Sequence, residues 1–297
     1  MKCARFDDHV IGRLYEQLHR RYRVYGPVTG EDGVCRLQAL GRRSDLPEPA
    51  LPLIPLKKFL LPPRQTLWSG DGTSCQPPCA EPATALVGIP PCDLHALDYL
   101  DRVFEDDPLY RQRRERLLIL GVGCAPGPEC FCRVSAHPPS FDLFFGEDRA
   151  WAGSAAGEAL LGELMGGRSF DENVPLPESL TSAQGTEIDD LERVFHDSSD
   201  WKLWEEVAGR CLSCGACSAV CPTCYCYDVV DEALADGTVV RRREWDNCFF
   251  RSHALVAGGQ NFRPNRKDRL RFRFEHKLLG FGALRGVRSC VGCGRCG

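Results

Sequence analysis

The run Cys211–Cys226, CLSCGACSAVCPTCYC, places Cys211, Cys214, Cys217 and Cys221 at the spacing C-x2-C-x2-C-x3-C, with Pro222 directly after the fourth. Such a run supplies thiolates to a cubane iron–sulfur cluster, because gaps of two and three residues let one short loop reach several corners of the core. Gly215, Ala216, Ser218 and Ala219 fill those gaps. Residues this small let the backbone close around an inorganic core and turn amide N–H groups toward its sulfides. Where two clusters lie side by side, the first three cysteines of one motif hold one cluster and the fourth crosses to the other. A second motif is therefore expected, and CVGCGRC supplies it with Cys290, Cys293 and Cys296. By this logic Cys221 completes the set of Cys290, Cys293 and Cys296. The set of Cys211, Cys214 and Cys217 still needs a fourth ligand. Three sources stay open: a native chain that continues past Gly297, substitution by Cys224 or Cys226, or a three-iron cluster that needs none. The first is favoured, since the second motif should go on as C-x3-C-P after Cys296.

At 297 residues the chain is long enough for two domains and a substantial apolar core, so its eighteen cysteines are not required as staples. A disulfide framework of the secreted kind calls for a short chain behind a signal peptide. The start, MKCARFDDHV, has no apolar stretch of that type, and no run approaches the length of a membrane span. A reducing cytoplasm is the expected location. The formal charge of −4 argues against binding nucleic acid over the whole surface.

Upstream of the cysteine run the pattern is that of an α/β domain. DDHVIGRLYEQLHRRY sets Val10, Ile11, Leu14 and Leu18 at helical spacing, with acids at its start and bases at its end. RVYGPV and VCRLQAL read as strands around a turn at Thr29 to Gly33, with Cys35 as a buried thiol. The proline-dense run from Pro47 to Pro63 reads as a connector, extended or looping and not helical. Cys75 and Cys79 sit in a turn-rich loop and read as loop thiols, with metal binding the lesser possibility. TALVGI, CDLHALDYLDRVF and ERLLILGVG form a βαβ unit, whose parallel strands bring their carboxyl ends to one sheet edge. Cys92 and Cys124 lie just past those ends, and Cys130 and Cys132 follow in a Pro-Gly loop. Four thiols at one edge point to a third cluster or another metal site; the alternative is scattered core and loop cysteines. FDLFF reads as a strand and AAGEALLGELM as a helix. The polar stretch from Ser182 to Ser199 reads as the boundary, after which SDWKLWEEVAG forms a helix with a Ser/Asp cap, an apolar face of Trp201, Trp204, Val207 and Ala208, and a stop at Gly209.

The predicted fold is thus an α/β N-terminal domain over residues 1–190 containing a parallel βαβ unit, followed by an α+β, ferredoxin-like dicluster domain over residues 191–297 with a large insertion. From Arg241 to Lys277 that insertion carries eleven Lys and Arg residues against four acids, with six aromatics interleaved. A single-stranded nucleic-acid platform would use such a mixture. Arginines that stabilise a reduced anionic cluster, or that dock an acidic partner, fit better. His253 and His276 read as structural or surface residues. Neither Gly-rich stretch, VAGGQ nor GVGCAPG, has the G-x-G-x-x-G pattern or its strand-helix context, so no dinucleotide or flavin site is expected in this chain. A zinc-binding nucleic-acid module would favour two separated C-x2-C pairs over three consecutive gaps and a proline-backed fourth cysteine.

Several longer stretches, KKFLLPPRQTLW, PPCDLHALDYLDRVFEDD, GPECFC, the cysteine run through Glu232, REWDNCFF, VAGGQNFRP, FEHKLLG and CVGCGRC, carry a family resemblance. From about Lys57 to its end the chain resembles the iron–sulfur β subunit of cytoplasmic sulfhydrogenase-type NiFe hydrogenases. It is similar too to the A-type component of anaerobic sulfite reductase. The resemblance implies a 4Fe-4S protein that passes electrons between a flavin subunit reacting with NAD(P)H and a catalytic metalloenzyme subunit; an electron-input subunit of a sulfite or sulfur reductase is the alternative. It also makes Cys92, Cys124, Cys130, Cys132, Cys224, Cys226 and Cys248 family positions, hence candidates for clusters beyond the first two. No catalytic acid, base or nucleophile is implied, although reduction of a sulfur oxyanion at an open iron site would be the enzymatic alternative.

Overall fold

The computed structural model describes residues 1–42, 46–71, 73–132, 138–166, 169–172, 174–181 and 191–297. Part of the polar stretch expected as a boundary, residues 182–190, lies outside the described residues. In chain order the strands are β1 (Lys2–Arg5), β2 (Arg23–Thr29), β3 (Cys35–Ala39), β4 (Arg64–Gly70), β5 (Cys75–Gln76), β6 (Thr84–Ile89), β7 (Leu117–Val122), β8 (Leu143–Phe145), β9 (Arg149–Ala152), β10 (Asp171–Glu172), β11 (Tyr227–Ala233) and β12 (Val239–Trp245).

Eight of these form one mixed sheet in the order β10-β1-β9-β8-β7-β6-β2-β3. Its centre is parallel: β2 with β6, β6 with β7 and β7 with β8. Antiparallel strands close both sides. Every residue of β7 is buried, which explains why LLILGV is apolar throughout instead of alternating. Successive residues face opposite ways: Val87, Leu118 and Leu120 pack with the helices Asp8–Arg21 and Ala155–Met165, while Leu86, Ile89 and Ile119 pack under the helix Pro91–Val103. The first of these helices begins where the Asp7 carboxylate accepts a hydrogen bond from Val10 N at 2.9 Å, and its last turn carries His19, Arg20 and Arg21.

A second, antiparallel sheet has the order β11-β12-β4-β5. Its central pair joins Arg64–Gly70 to Val239–Trp245, so strands from both sides of residue 190 share it. Arg243 of β12 is buried, donating to Gln65 Oε1 of β4 at 2.6 and 3.1 Å and to Asp107 Oδ2 at 2.6 Å. Two local expectations change. The proline-dense run is not free of helix, because the proline-free tetrad Lys57–Leu60 forms one helical turn, with Leu61 N donating to Lys57 O at 2.7 Å. The helix before the cysteine run is Lys202–Arg210; its N-cap is Trp201, without a capping side-chain bond, and Trp201 is 50% exposed instead of packed.

Candidate metal centre

The helix Lys202–Arg210 delivers the chain to Cys211, and two left-handed residues, Ser213 (φ 54°) and Gly215 (φ 79°), fold the cysteine loop back on itself. Gly215 cannot be replaced without displacement: a Cβ there would lie 2.4 Å from Asn247 Nδ2, which donates to Gly215 O at 2.8 Å. The second motif is fixed against the α/β half. Phe131 N donates to Gly292 O at 2.9 Å, and Cys130 Sγ lies 3.6 Å from Cys293 O. A Cβ on Gly292 would meet Phe131 O at 2.2 Å, so the loop containing Cys130 and Cys132 packs directly on the second motif.

Two cavities border the first motif. One, of about 140 Å³, is lined by Cys221, Cys290, Cys293 and Cys296 together with Thr223, Arg273 and Lys277. The other, of about 240 Å³, is lined by Cys214, Cys224 and Cys226 with Lys57, Trp245 and Asn247. Cys221 and Cys224 hydrogen-bond to each other between them. That bond holds the Cys221 thiol below its ordinary range against the cost of burial, helped by Lys277 and Arg273, and pushes Cys224 up. Cys226 and Cys248 form a second pair, in which the bond from Cys226 brings Cys248 down to about 6 and raises Cys226. Among the thiols of the α/β half, burial pushes Cys124 up to about 11, with Cys132 and Cys130 adding to the effect. Burial, then Asp93, also raises Cys92, whose other neighbours include Cys293 and Cys124. Cys75 and Cys79 are exposed, and Cys35 is half-buried, not fully buried as its alternation suggested.

Three cations are buried among these thiols: Lys57 at 2% exposure, Arg273 at 8% and Lys277 at 8%. Lys57 Nζ donates to Ser218 O at 2.9 Å and Cys224 O at 3.0 Å, and lies 4.5 Å from the centre of the Trp245 ring. Arg273 donates to Ser218 Oγ at 2.9 Å, Cys217 O at 2.9 Å and Cys224 Sγ at 3.2 Å. Lys277 Nζ donates to Thr223 Oγ1 at 2.8 Å. Among the described residues none of the three has a carboxylate within ion-pair distance. Burial alone would lower both Arg273 and Lys277, yet nearby Cys224 and Cys221 outweigh it and hold them above their ordinary values; for Lys57 burial wins.

A profile of the 4Fe-4S dicluster domain matches residues 210–297. Sulfhydrogenase 2 subunit beta of Pyrococcus furiosus is 31% identical over 321 aligned residues, which take in 100% of this chain and 93% of that protein. The chain belongs to this sulfhydrogenase beta-subunit family. No solved structure matches it. It is an iron–sulfur electron-transfer subunit with a 4Fe-4S dicluster domain. Among the described residues no helix is long and apolar enough to cross a membrane.

The donor set fits clusters better than single ions. Among the described residues no three His, Cys, Asp or Glu side chains converge as one metal ion would require, whereas a cubane takes thiolates at separated corners of a larger body. Thiols distributed around cavities and cations without carboxylates both suit an anionic core, because a buried charge is costly until an opposite charge is supplied. Two other features of the site lie inside stretches that carry the family resemblance but were not singled out from the sequence. Lys57 lies in the run read as a connector; its signals were the doubly basic pair inside LPLIPLKKFLLPP and its place at the head of the family stretch KKFLLPPRQTLW. Arg295, between Cys293 and Cys296, forms a two-pronged ion pair with Asp93 at 2.6 and 3.0 Å, with side-chain exposures of 2% and 0%. Its Nε also donates to Pro52 O at 2.8 Å. His253 contacts Asp246, and Tyr225 Oη lies 3.2 Å from His276 Nε2, so both histidines have partners.

Proposed function

We propose that this chain relays single electrons between a flavin-bearing subunit that reacts with NAD(P)H and a catalytic metalloenzyme subunit such as a NiFe hydrogenase, within a cytoplasmic hetero-oligomer. The observation that carries this reading is the joint lining of one cavity by Cys221 of the first motif and Cys290, Cys293 and Cys296 of the second, beside the buried cations Arg273 and Lys277, which have no carboxylate partner among the described residues. Bound there, 4Fe-4S clusters supply one-electron redox chemistry. The chain's own groups do the rest. Cys221, Cys290, Cys293 and Cys296 hold one centre, and Cys211, Cys214 and Cys217 contribute to its neighbour. Cys92, Cys124, Cys130 and Cys132 hold a third, against the second motif. Cys224, Cys226 and Cys248 serve the space between. Asn247 and Phe131 fix the two loops through backbone carbonyls, and Arg273 and Lys277 offset the negative charge of the thiolates.

Anaerobic purification from the native host tests this. A brown complex that contains flavin in another subunit, and whose visible absorption bleaches when NAD(P)H is added, is the expected result. A catalytic partner that reduces sulfite instead of handling hydrogen would redirect the assignment to a sulfur-oxyanion reductase. Turnover of sulfite or polysulfide by the isolated chain with reduced viologen would overturn the relay reading, and so would a colourless protein with stoichiometric zinc.

A further inference from the structure

We propose that Lys57 sets the reduction potential of the centre beside Cys214, Cys224 and Cys226, by holding a fixed positive charge at that cavity. The inference rests on the relay reading and adds a residue to it from outside the cysteine motifs.

The placement of Lys57 is costly in every respect except this one. Its one-turn helix lies in the α/β half, 161 positions from Ser218, yet its ammonium ends inside the first-motif loop. Two carbonyls accept from it, those of Ser218 and Cys224, and the Trp245 ring covers it. Carbonyls and a ring face orient an ammonium but carry no net charge to neutralise it, and no carboxylate among the described residues does so. An apolar side chain in this position would avoid the desolvation that Lys57 incurs. The charge is therefore informative: it lines the same cavity as Cys214, Cys224 and Cys226.

The sign of the effect follows from electrostatics. One electron enters from the donor and one leaves to the acceptor; no bond forms or breaks and no proton needs to move. While the electron is resident, the cavity is one unit more negative, and a positive charge held nearby favours that state. Lys57 is held by its contacts and screened from solvent, so salt and side-chain motion cannot dissipate its field as they do for a surface lysine. Lys58, the next residue in the same turn, is the natural control. Its Nζ donates to Leu37 O at 3.0 Å, on the side of the sheet strand β3.

The test is a potentiometric titration, followed by electron spin resonance, of the anaerobically purified full chain, with iron counted in each variant. Lys57→Gln removes the charge and keeps a donor, Lys57→Arg keeps the charge, and Lys58→Gln removes a charge from the same turn. The expected result for Lys57→Gln is a shift of one signal to lower potential, with its reduction equilibrium moved about tenfold, or ~59 mV for one electron, and the other signals moved less. Lys57→Arg should restore most of that shift, and Lys58→Gln should match the parent. Unchanged potentials in an iron-replete Lys57→Gln would overturn the proposal, as would a Lys58→Gln shift of equal size. If Lys57→Gln loses its iron, Lys57→Arg decides: iron at the parental potential supports the proposal, while iron lost or a potential displaced as far as tenfold overturns it. A parent protein with no iron–sulfur signal would overturn the relay reading itself, a distinct outcome.

Discussion

The large sheet and the cysteine-rich half solve the problem of a stable interior in opposite ways. In the sheet, β6 and β7 lie between two broad apolar clusters that contain aliphatic and aromatic side chains from helices on both faces. In the other half the buried apolar cluster is confined to Ala208, Cys248, Phe249 and Leu270 with a few flanking side chains, while the helix Arg266–Leu279 turns Arg269, Arg273, His276 and Lys277 inward. Apolar burial stabilises the first region without help. The second collects positive charge around thiols, so its stability depends on the negative charge that those thiols and their centres provide.

Removal of iron should expose this difference most strongly. Under a chelator, amides of the helix Arg266–Leu279 are expected to lose most of their protection from hydrogen exchange, while those of β6 and β7 keep theirs; equal loss in both regions would erase the contrast. Next comes the seam between the regions, where Asp93→Ala leaves Arg295 buried and unpaired. About 3–5 kcal/mol should disappear from the denaturant midpoint analysis, and Asp93→Ala combined with Arg295→Met should recover part of it. Inside the sheet, Leu120→Ala should cost about 2–5 kcal/mol with no change in iron content, since it removes only packing. A fourth effect belongs to pH. Burial, aided by Lys277, brings His276 down to about 4. An unfolded chain titrates its histidines near ~6.5. As pH falls from there toward 4 the unfolded state takes up the proton first, so stability that is complete above the unfolded value is lost across that window. The loss should amount to roughly 3 kcal/mol in urea titrations at each pH, with a flatter profile for His276→Gln. Smallest of all is Arg21→Ala, which breaks the exposed pair with Glu163 and should move stability by no more than about 0.5 kcal/mol.

Much of this contrast could be read in the chain beforehand. The helix Asp8–Arg21, the helix Ala155–Met165 and the parallel pair β6 and β7 follow from apolar spacing, because each is determined by its own residues. The dicluster character of residues 210–297 was legible for the same reason: spacing encodes which thiols share a loop. What could not be read was long-range. Nothing near Lys57 announces Ser218, and nothing near Asp93 announces Arg295, since an ion pair or a carbonyl contact leaves no periodic trace. The basic insertion was legible only in bulk. Its charge was read as stabilising an anionic cluster or docking an acidic partner, but composition did not say which side chains turn inward, and Arg243, Arg269, Arg273 and Lys277 are buried. On the helix Arg266–Leu279 the spacing of Leu270, Arg273 and Lys277 on one face was the available sign.

The pairing of β4 with β12 bears on how this protein can be divided. Excised at residue 191, the cysteine-rich half would leave one edge of β12 bare and Arg243 without Gln65 and Asp107. It would also lose Lys57, Cys92 and Cys124. The iron–sulfur half is therefore not a portable cassette: a minimal electron-carrying fragment, whether for grafting onto another enzyme or for study alone, must carry the hairpin around Arg64–Gln76 and the turn that precedes it.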